Sequence, residues 1–94
     1  MNINEIIWID VVVEKIWKKH HVTSEEVEEV LNSHPKVRRM MKGDVRGEDM
    51  YGAFGRTRGG RRLGVFFVRK SDGGALIISA RDMARKELGH YEKK

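Results

Sequence analysis

A change of periodicity at Pro35, the only proline in the chain, separates two patterns that cannot belong to one kind of secondary structure. Before it, apolar residues recur every three to four positions, the spacing of one helical face. After it they come in short runs punctuated by glycine, the spacing of strands joined by turns. Helices precede a sheet, so the pattern predicts an α+β fold rather than alternating α/β units.

Over residues 10–21, Val12, Ile16 and His20 recur at i, i+4 and i+8 with Val13 and Trp17 beside them, which predicts a helix capped by Asp10. Thr23-Ser-Glu-Glu26 is a capping box: the Thr hydroxyl can accept from the backbone three residues on while Glu26 reaches back. Val27, Val30 and Leu31 give the second helix one apolar face, and residues 32–35 stop it. The apolar run at residues 5–9 fits either a first strand or the lead-in to a helix.

Beyond Pro35, strands are predicted at residues 37–41, 50–56, 63–69 and 75–80, with a loop at 43–47 and turns at Arg58-Gly-Gly-Arg61 and Ser71-Asp-Gly-Gly74. Helical spacing returns after Asp82, a natural cap, through Met83, Glu87 and Tyr91. Consecutive strands with short turns pair antiparallel. The expectation is two N-terminal helices, an antiparallel β-meander of three to four strands and a C-terminal helix, in a single domain over residues 1–94.

Charge is distributed unevenly. Residues 1–35 hold three Lys/Arg against seven Asp/Glu, a net of −4, whereas residues 36–94 hold sixteen against seven, a net of +9. A basic half of that size favours a polyanion, because phosphate contacts release counterions, and RNA is the expected partner. The chain has no cysteine, which excludes disulfides and thiolate metal sites and fits a reducing compartment. No apolar run approaches the ~18 residues that span a bilayer, and no basic leader opens the chain, so a cytoplasmic address without membrane contact is expected.

A phosphate-cradling Gly-rich loop with Lys, a paired-His helix and a nucleophile elbow are all missing, which argues against nucleotide hydrolysis, zinc catalysis and acyl transfer. The four histidines form no ligand set: His20 and His21 are adjacent and diverge on a helix, and His34 and His90 lie in other elements. No metal or other cofactor is expected. RNA can be cut without one if a base helps the ribose 2′-oxygen attack its own phosphate, cations stabilise the charged phosphorane and an acid protonates the leaving 5′-oxygen.

His20 falls on the Val12/Ile16 stripe, either packed with its nitrogens satisfied or poised for proton transfer near neutral pH. Glu48 stands in the stretch between Arg46 and a basic strand region, a turn residue or a base kept ionised by cations. Arg56, Arg58, Arg61 and Arg62 bracket a Gly-Gly turn, as solvated hairpin arms or phosphate contacts. Arg81 and Arg85 are expected to share a face at the N-terminus of the last helix, where they either hold phosphate or form salt bridges to Glu87 or Asp82. Tyr91 reads as a core anchor or a substrate contact.

Lys19-His20 before a Val-x-x-x-Glu helix, Gly47-Glu48, Gly55-Arg56-Thr57, Gly60-Arg61 and the run Ile77-Ile-Ser-Ala-Arg-Asp-Met-Ala-Arg-Lys-Glu87 followed by Tyr91 resemble the BrnT family of toxins, over nearly the whole chain. The resemblance implies a RelE-like α+β fold and a metal-independent ribonuclease of a type II toxin–antitoxin pair. It further implies a small BrnA-like antitoxin partner with a ribbon-helix-helix portion, through which alone the complex touches operator DNA. Carried over residue by residue, His20, Glu48, Arg81 and Arg85 would be catalytic and Lys19, Arg56, Arg61 and Tyr91 would bind substrate, with Glu87 in support. The chain departs from the family pattern at Trp8-Ile-Asp10, where Trp-Asp is common, and at Met50, where an Arg often follows the Glu by two residues. The missing cation leaves an alternative open, a non-catalytic RNA- or antitoxin-binding module on the same fold.

Overall fold

The computed structural model describes residues 3–41 and 48–93. Among them the element order is β1 (Glu5–Ile7), α1 (Asp10–His20), α2 (Ser24–Leu31), β2 (Lys36–Met41), β3 (Met50–Arg56), β4 (Arg62–Arg69), β5 (Gly74–Asp82) and α3 (Arg85–Glu92). The loop expected at residues 43–47 lies outside the described residues.

The α+β class and the order of helices, strands and final helix are as the periodicity predicts. β2, β3, β4 and β5 form the antiparallel meander, in sheet order β1-β5-β4-β3-β2. The difference is β1, which pairs parallel with β5 through Glu5↔Gly74 and Ile7↔Leu76 and makes the sheet five-stranded and mixed. A three-residue strand carries too little alternation to reveal a pairing so distant in sequence.

Local chemistry fixes the helix ends. The capping box forms, with Glu26 N–H donating to Thr23 Oγ1 at 3.1 Å and Thr23 N–H donating to Glu26 Oε1 at 3.0 Å. α1 ends one residue earlier than expected because His21 adopts a left-handed conformation (φ 52°), its N–H donating to the Trp17 carbonyl while Val22 N–H reaches Ile16.

Alternation along the strands, with a register shift at Ile78 of β5, sends Ala53, Leu63, Val65, Phe67, Ala75, Ile77 and Ala80 to one face, where they bury against Val12 and Ile16 of α1, Val22, and Val27 and Val30 of α2. The opposite face is different. Gly52 and Gly64 lie beside Phe54 and Phe66, whose rings meet edge to face at 6.0 Å. A Cβ at Gly64 would stand 3.1 Å from the Phe54 ring and 3.3 Å from that of Phe66, so glycine is what lets the rings lie across the strands.

α3 covers only part of this second face and buries none of its own residues. It is tied down by polar contacts: Arg81 to Glu87, Arg62 Nη2 to Glu92 at 3.1 Å, and Lys36 Nζ donating to the carbonyls of Tyr91 at 2.6 Å and Lys93 at 3.1 Å. Among the described residues no helix is long and apolar enough to cross a membrane.

Candidate functional site

Two arginines anchor opposite faces at one end of the sheet. Arg61, in the turn before β4, donates Nε to Asp82 Oδ1 at 2.8 Å and Nη2 to Asp82 Oδ2 at 3.1 Å. Its Nη1 reaches the His21 carbonyl at 2.8 Å and Glu26 Oε1 at 3.3 Å, and Nη2 also reaches the His20 carbonyl at 2.9 Å. A guanidinium has five N–H donors, and these contacts engage all of them. Arg61 therefore closes the end of α1 onto α2 and β5, with every guanidinium N–H engaged and none left over for the substrate contact expected of it.

Arg81 is the correction of most consequence. It was expected to share a helical face with Arg85, but it lies on β5, paired with Gly64, because the β4–β5 ladder runs on to Leu63↔Asp82 and Met83 N–H still donates to the Arg62 carbonyl at 3.1 Å. The N-cap of α3 is Ala84, not Asp82, whose carboxylate is held by Arg61. The Met83, Glu87, Tyr91 spacing misled because Met83 is buried ahead of the helix rather than within it.

Arg81 points to the face opposite α1 and α2, its guanidinium 4.9 Å from the centre of the Phe66 ring. Nη1 and Nη2 donate to Glu87 Oε1 and Oε2 at 2.7 and 2.9 Å, and Nη1 also reaches the Asp82 carbonyl at 3.2 Å. Nε–H and the second Nη2–H have no partner among the described residues. These two donors form one edge of the planar fork, the geometry that accepts two oxygens of a phosphate.

The ion pairs set the charge states. Hydrogen bonding and the field of Glu87 raise the Arg81 pKa against the opposing effect of burial, and Arg61 is raised likewise by Asp82 and Glu26. Glu87 is lowered by Arg81 first, then by the Ala84 N–H, and Arg38 adds to the effect from the neighbouring strand. Asp82 is lowered mainly by its hydrogen bond from Arg61, with a smaller contribution from the charge of His20, whose carbonyl accepts from the same guanidinium.

The remaining expected residues divide by position. Lys19 is exposed in the last turn of α1 and His20 is half-buried beside it. Arg85 is exposed at the start of α3. Arg56, exposed at the end of β3, lines a cavity of about 660 Å³ with Tyr91 and with Glu25, Glu28 and Glu29 of α2, acids that disfavour RNA there. Glu48 is separate. Its Oε1 accepts from Lys70 Nζ at 2.8 Å, at the end of β4 opposite Arg62. β4 spans Arg62–Arg69, so at ~3.3 Å per residue the His20/Arg61 end and the Glu48 end stand roughly 20 Å apart. His20 and Glu48 do not meet.

Sequence reasoning missed Lys36, Arg38 and His90. Arg38 and Lys36 alternate on β2, and Glu87, His90 and Tyr91 share one face of α3; together with Val37 and Phe54 they enclose a cavity of about 260 Å³. The Lys-x-Arg alternation on a predicted strand was the signal available. Among the described residues no three His, Asp or Glu side chains gather as a metal cluster would.

Comparison with known proteins bears on the family and the fold. The family model described as "Ribonuclease toxin, BrnT, of type II toxin-antitoxin system" matches residues 8–87. The fold is similar to that of the Brucella abortus ribonuclease toxin BrnT, known from a 1.1 Å crystal structure, with a TM-score of 0.63 and 20% identity over 86% of this chain and 97% of that one. No sequence among curated proteins matches.

Proposed function

Since the chain belongs to the BrnT family of ribonuclease toxins of type II toxin–antitoxin systems, we propose that it is a metal-independent endoribonuclease whose scissile phosphate binds at the open edge of Arg81. The observation that carries this reading is the guanidinium itself, held over the Phe66 ring and bonded to Glu87, with two adjacent donors that have no partner among the described residues. A charged fork held in place before substrate arrives needs no reorganisation as negative charge develops.

In this reading Arg85, at the start of α3, is the second phosphate contact and Lys19 guides the flanking chain, whereas Arg56 faces the glutamates of α2 and takes no part. The 2′-oxygen attacks the adjacent phosphorus and the 5′-oxygen leaves, giving a 2′,3′-cyclic phosphate and a 5′-hydroxyl. One group removes the 2′-proton and another returns a proton to the 5′-oxygen. His20 is assigned to proton transfer; its carbonyl and Asp82 share the Arg61 guanidinium on the α1/α2 side, so the RNA must turn round the end of β5 from Arg81 to reach it. Glu48, roughly the length of β4 away, is not so assigned. Type II membership implies a protein antitoxin, and we assign it a BrnA-like chain with a ribbon-helix-helix portion that carries the pair onto operator DNA.

The test is incubation of the purified protein with single-stranded RNA in EDTA. Cleavage to 2′,3′-cyclic ends, blocked by a single 2′-deoxy substitution at the cut site, is expected. RNA that stays intact while still binding in a salt-sensitive way would select the non-catalytic module instead, and cleavage that begins only when Mg²⁺ is added would overturn the metal-free mechanism.

A further inference from the structure

The cavity between α3 and strands β2 and β3 has chemistry that phosphate binding leaves unused. Its walls are Phe54, Tyr91, Lys36, Arg38, Glu87 and His90, with the β2 backbone at Val37, whose side chain packs into the core on the other face. The two larger cavities among the described residues have a net acidic lining, Glu25, Glu28 and Glu29 against Arg56 and Arg58 in one case and Glu5 and Glu28 in the other, which disfavours RNA. In this one the cations Lys36 and Arg38 flank the aromatic residues Phe54 and Tyr91. Single-stranded RNA is read by this combination, aromatic rings or guanidinium planes for the face of an unpaired base and fixed polar atoms for its edge.

Position supports the same assignment. Arg81 and the cavity share Glu87, whose carboxylate is bonded to the first and lines the second. Along α3, Arg85 and Tyr91 are six residues apart, roughly 9 Å at the ~1.5 Å helical rise. A phosphate on Arg81 and Arg85 therefore leaves its neighbouring base within reach of the cavity.

The polar wall has a definite sense. Glu87 Oε1 already accepts from Ala84 N–H at 2.8 Å and from Arg81, whereas among the described residues Oε2 accepts from Arg81 alone. A carboxylate oxygen accepts about two hydrogen bonds and, while ionised, donates none. Glu87 is held ionised by Arg81. The free capacity of Oε2 suits an exocyclic amino group, which adenine, cytosine and guanine carry on their pairing edge and uracil does not.

We propose that the cavity bounded by Lys36, Val37, Arg38, Phe54, Glu87, His90 and Tyr91 binds one unpaired, amino-bearing nucleobase next to the scissile phosphate, and so sets where the chain cuts. The proposal rests on the ribonuclease reading for its biological sense, but the binding it claims can be measured without cleavage.

The experiment is an amide-resolved NMR titration of the intact protein with AMP, CMP, GMP and UMP, none of which has an internucleotide bond to cut. Saturable shifts at Val37, Phe54, His90 and Tyr91 are expected with the first three and roughly tenfold weaker binding with UMP, the effect of one hydrogen bond to a charged acceptor. Tyr91→Ala should weaken the first three toward the UMP value while the rest of the spectrum stays native. Glu87→Gln, which offers an amide donor, should narrow or reverse the difference from UMP. Equal affinity for all four, or shifts confined to Arg81 and Arg85, would overturn the proposal even if the protein cleaves RNA. Selective binding by a protein that leaves RNA intact would support the base site while removing the ribonuclease reading.

Discussion

Arg61 and Arg81 look alike in their primary contacts, one just before β4 and the other near the end of β5, each gripping a carboxylate with two nitrogens. They differ in what is left over. Arg61 directs its donors to Asp82, Glu26 and the two carbonyls that end α1, and sits on the face packed by α1 and α2. Arg81 stands on the face that α3 only partly covers, with two guanidinium donors unpartnered among the described residues. In the proposed reading the same residue type serves structure where its hydrogen bonds are complete and recognition where they are not. Charge alone does not separate the two uses; the count of occupied donors does.

The largest expected effect on stability falls on the closed side. Arg61→Ala leaves two carbonyls and two carboxylates without their donor and is expected to cost about 2 kcal/mol, a figure kept low because Asp82 is largely exposed. Arg81→Ala should cost under about 1 kcal/mol, since it releases only the contacts that dock α3. Urea unfolding of the two variants measures the difference. Equal losses would erase the distinction drawn between the faces.

Acid should weaken both regions. Asp82 and Glu87 lie below their ordinary values of 3.8 and 4.5 in the folded protein. A depressed carboxyl binds protons more readily when unfolded, so its stabilisation is fully present above the ordinary value and is lost as pH falls through the folded one. Stability should therefore decline below about pH 4.5. Asp82→Asn and Glu87→Gln should each flatten part of that decline, and loss of signal from α3 should follow Glu87 while loss of the α1 terminus follows Asp82. Amide exchange as a function of pH separates them; a decline unchanged in both variants would show that neither pair is linked to folding.

The smallest expected effect is at the far end of the sheet. Glu48 is paired with Lys70 and lies remote from Arg81. Glu48→Gln should change the RNA cleavage rate by no more than about twofold, a loss well below that of removing a group in direct contact with the reacting phosphate. A loss of about a hundredfold would move the active site to that end.

Much of the fold was legible because its determinants are local. The Thr23–Glu26 box, the Val27/Val30/Leu31 face and the glycine-bounded strands each declare themselves within a few residues. What depended on distant partners did not. β1 is defined by residues of β5, and the β5 ladder, by extending to Asp82, takes Arg81 out of the helix that its four-residue spacing from Arg85 suggested. The site shows the same division. Arg81, Arg85 and Tyr91 were visible as residue types in a motif. Lys36, Arg38 and His90 enter only because β2 and α3 are brought together across the open face.

The most direct measurement is the rate of RNA cleavage in EDTA by wild type, Arg61→Ala and Arg81→Ala, each expressed per folded molecule at a temperature where all three remain folded. With Arg81 holding the scissile phosphate and Arg61 only holding the fold, Arg61→Ala should cut near the wild-type rate and Arg81→Ala about a hundredfold more slowly or worse. Full activity in Arg81→Ala, or a loss in Arg61→Ala as deep as that in Arg81→Ala, would contradict the account.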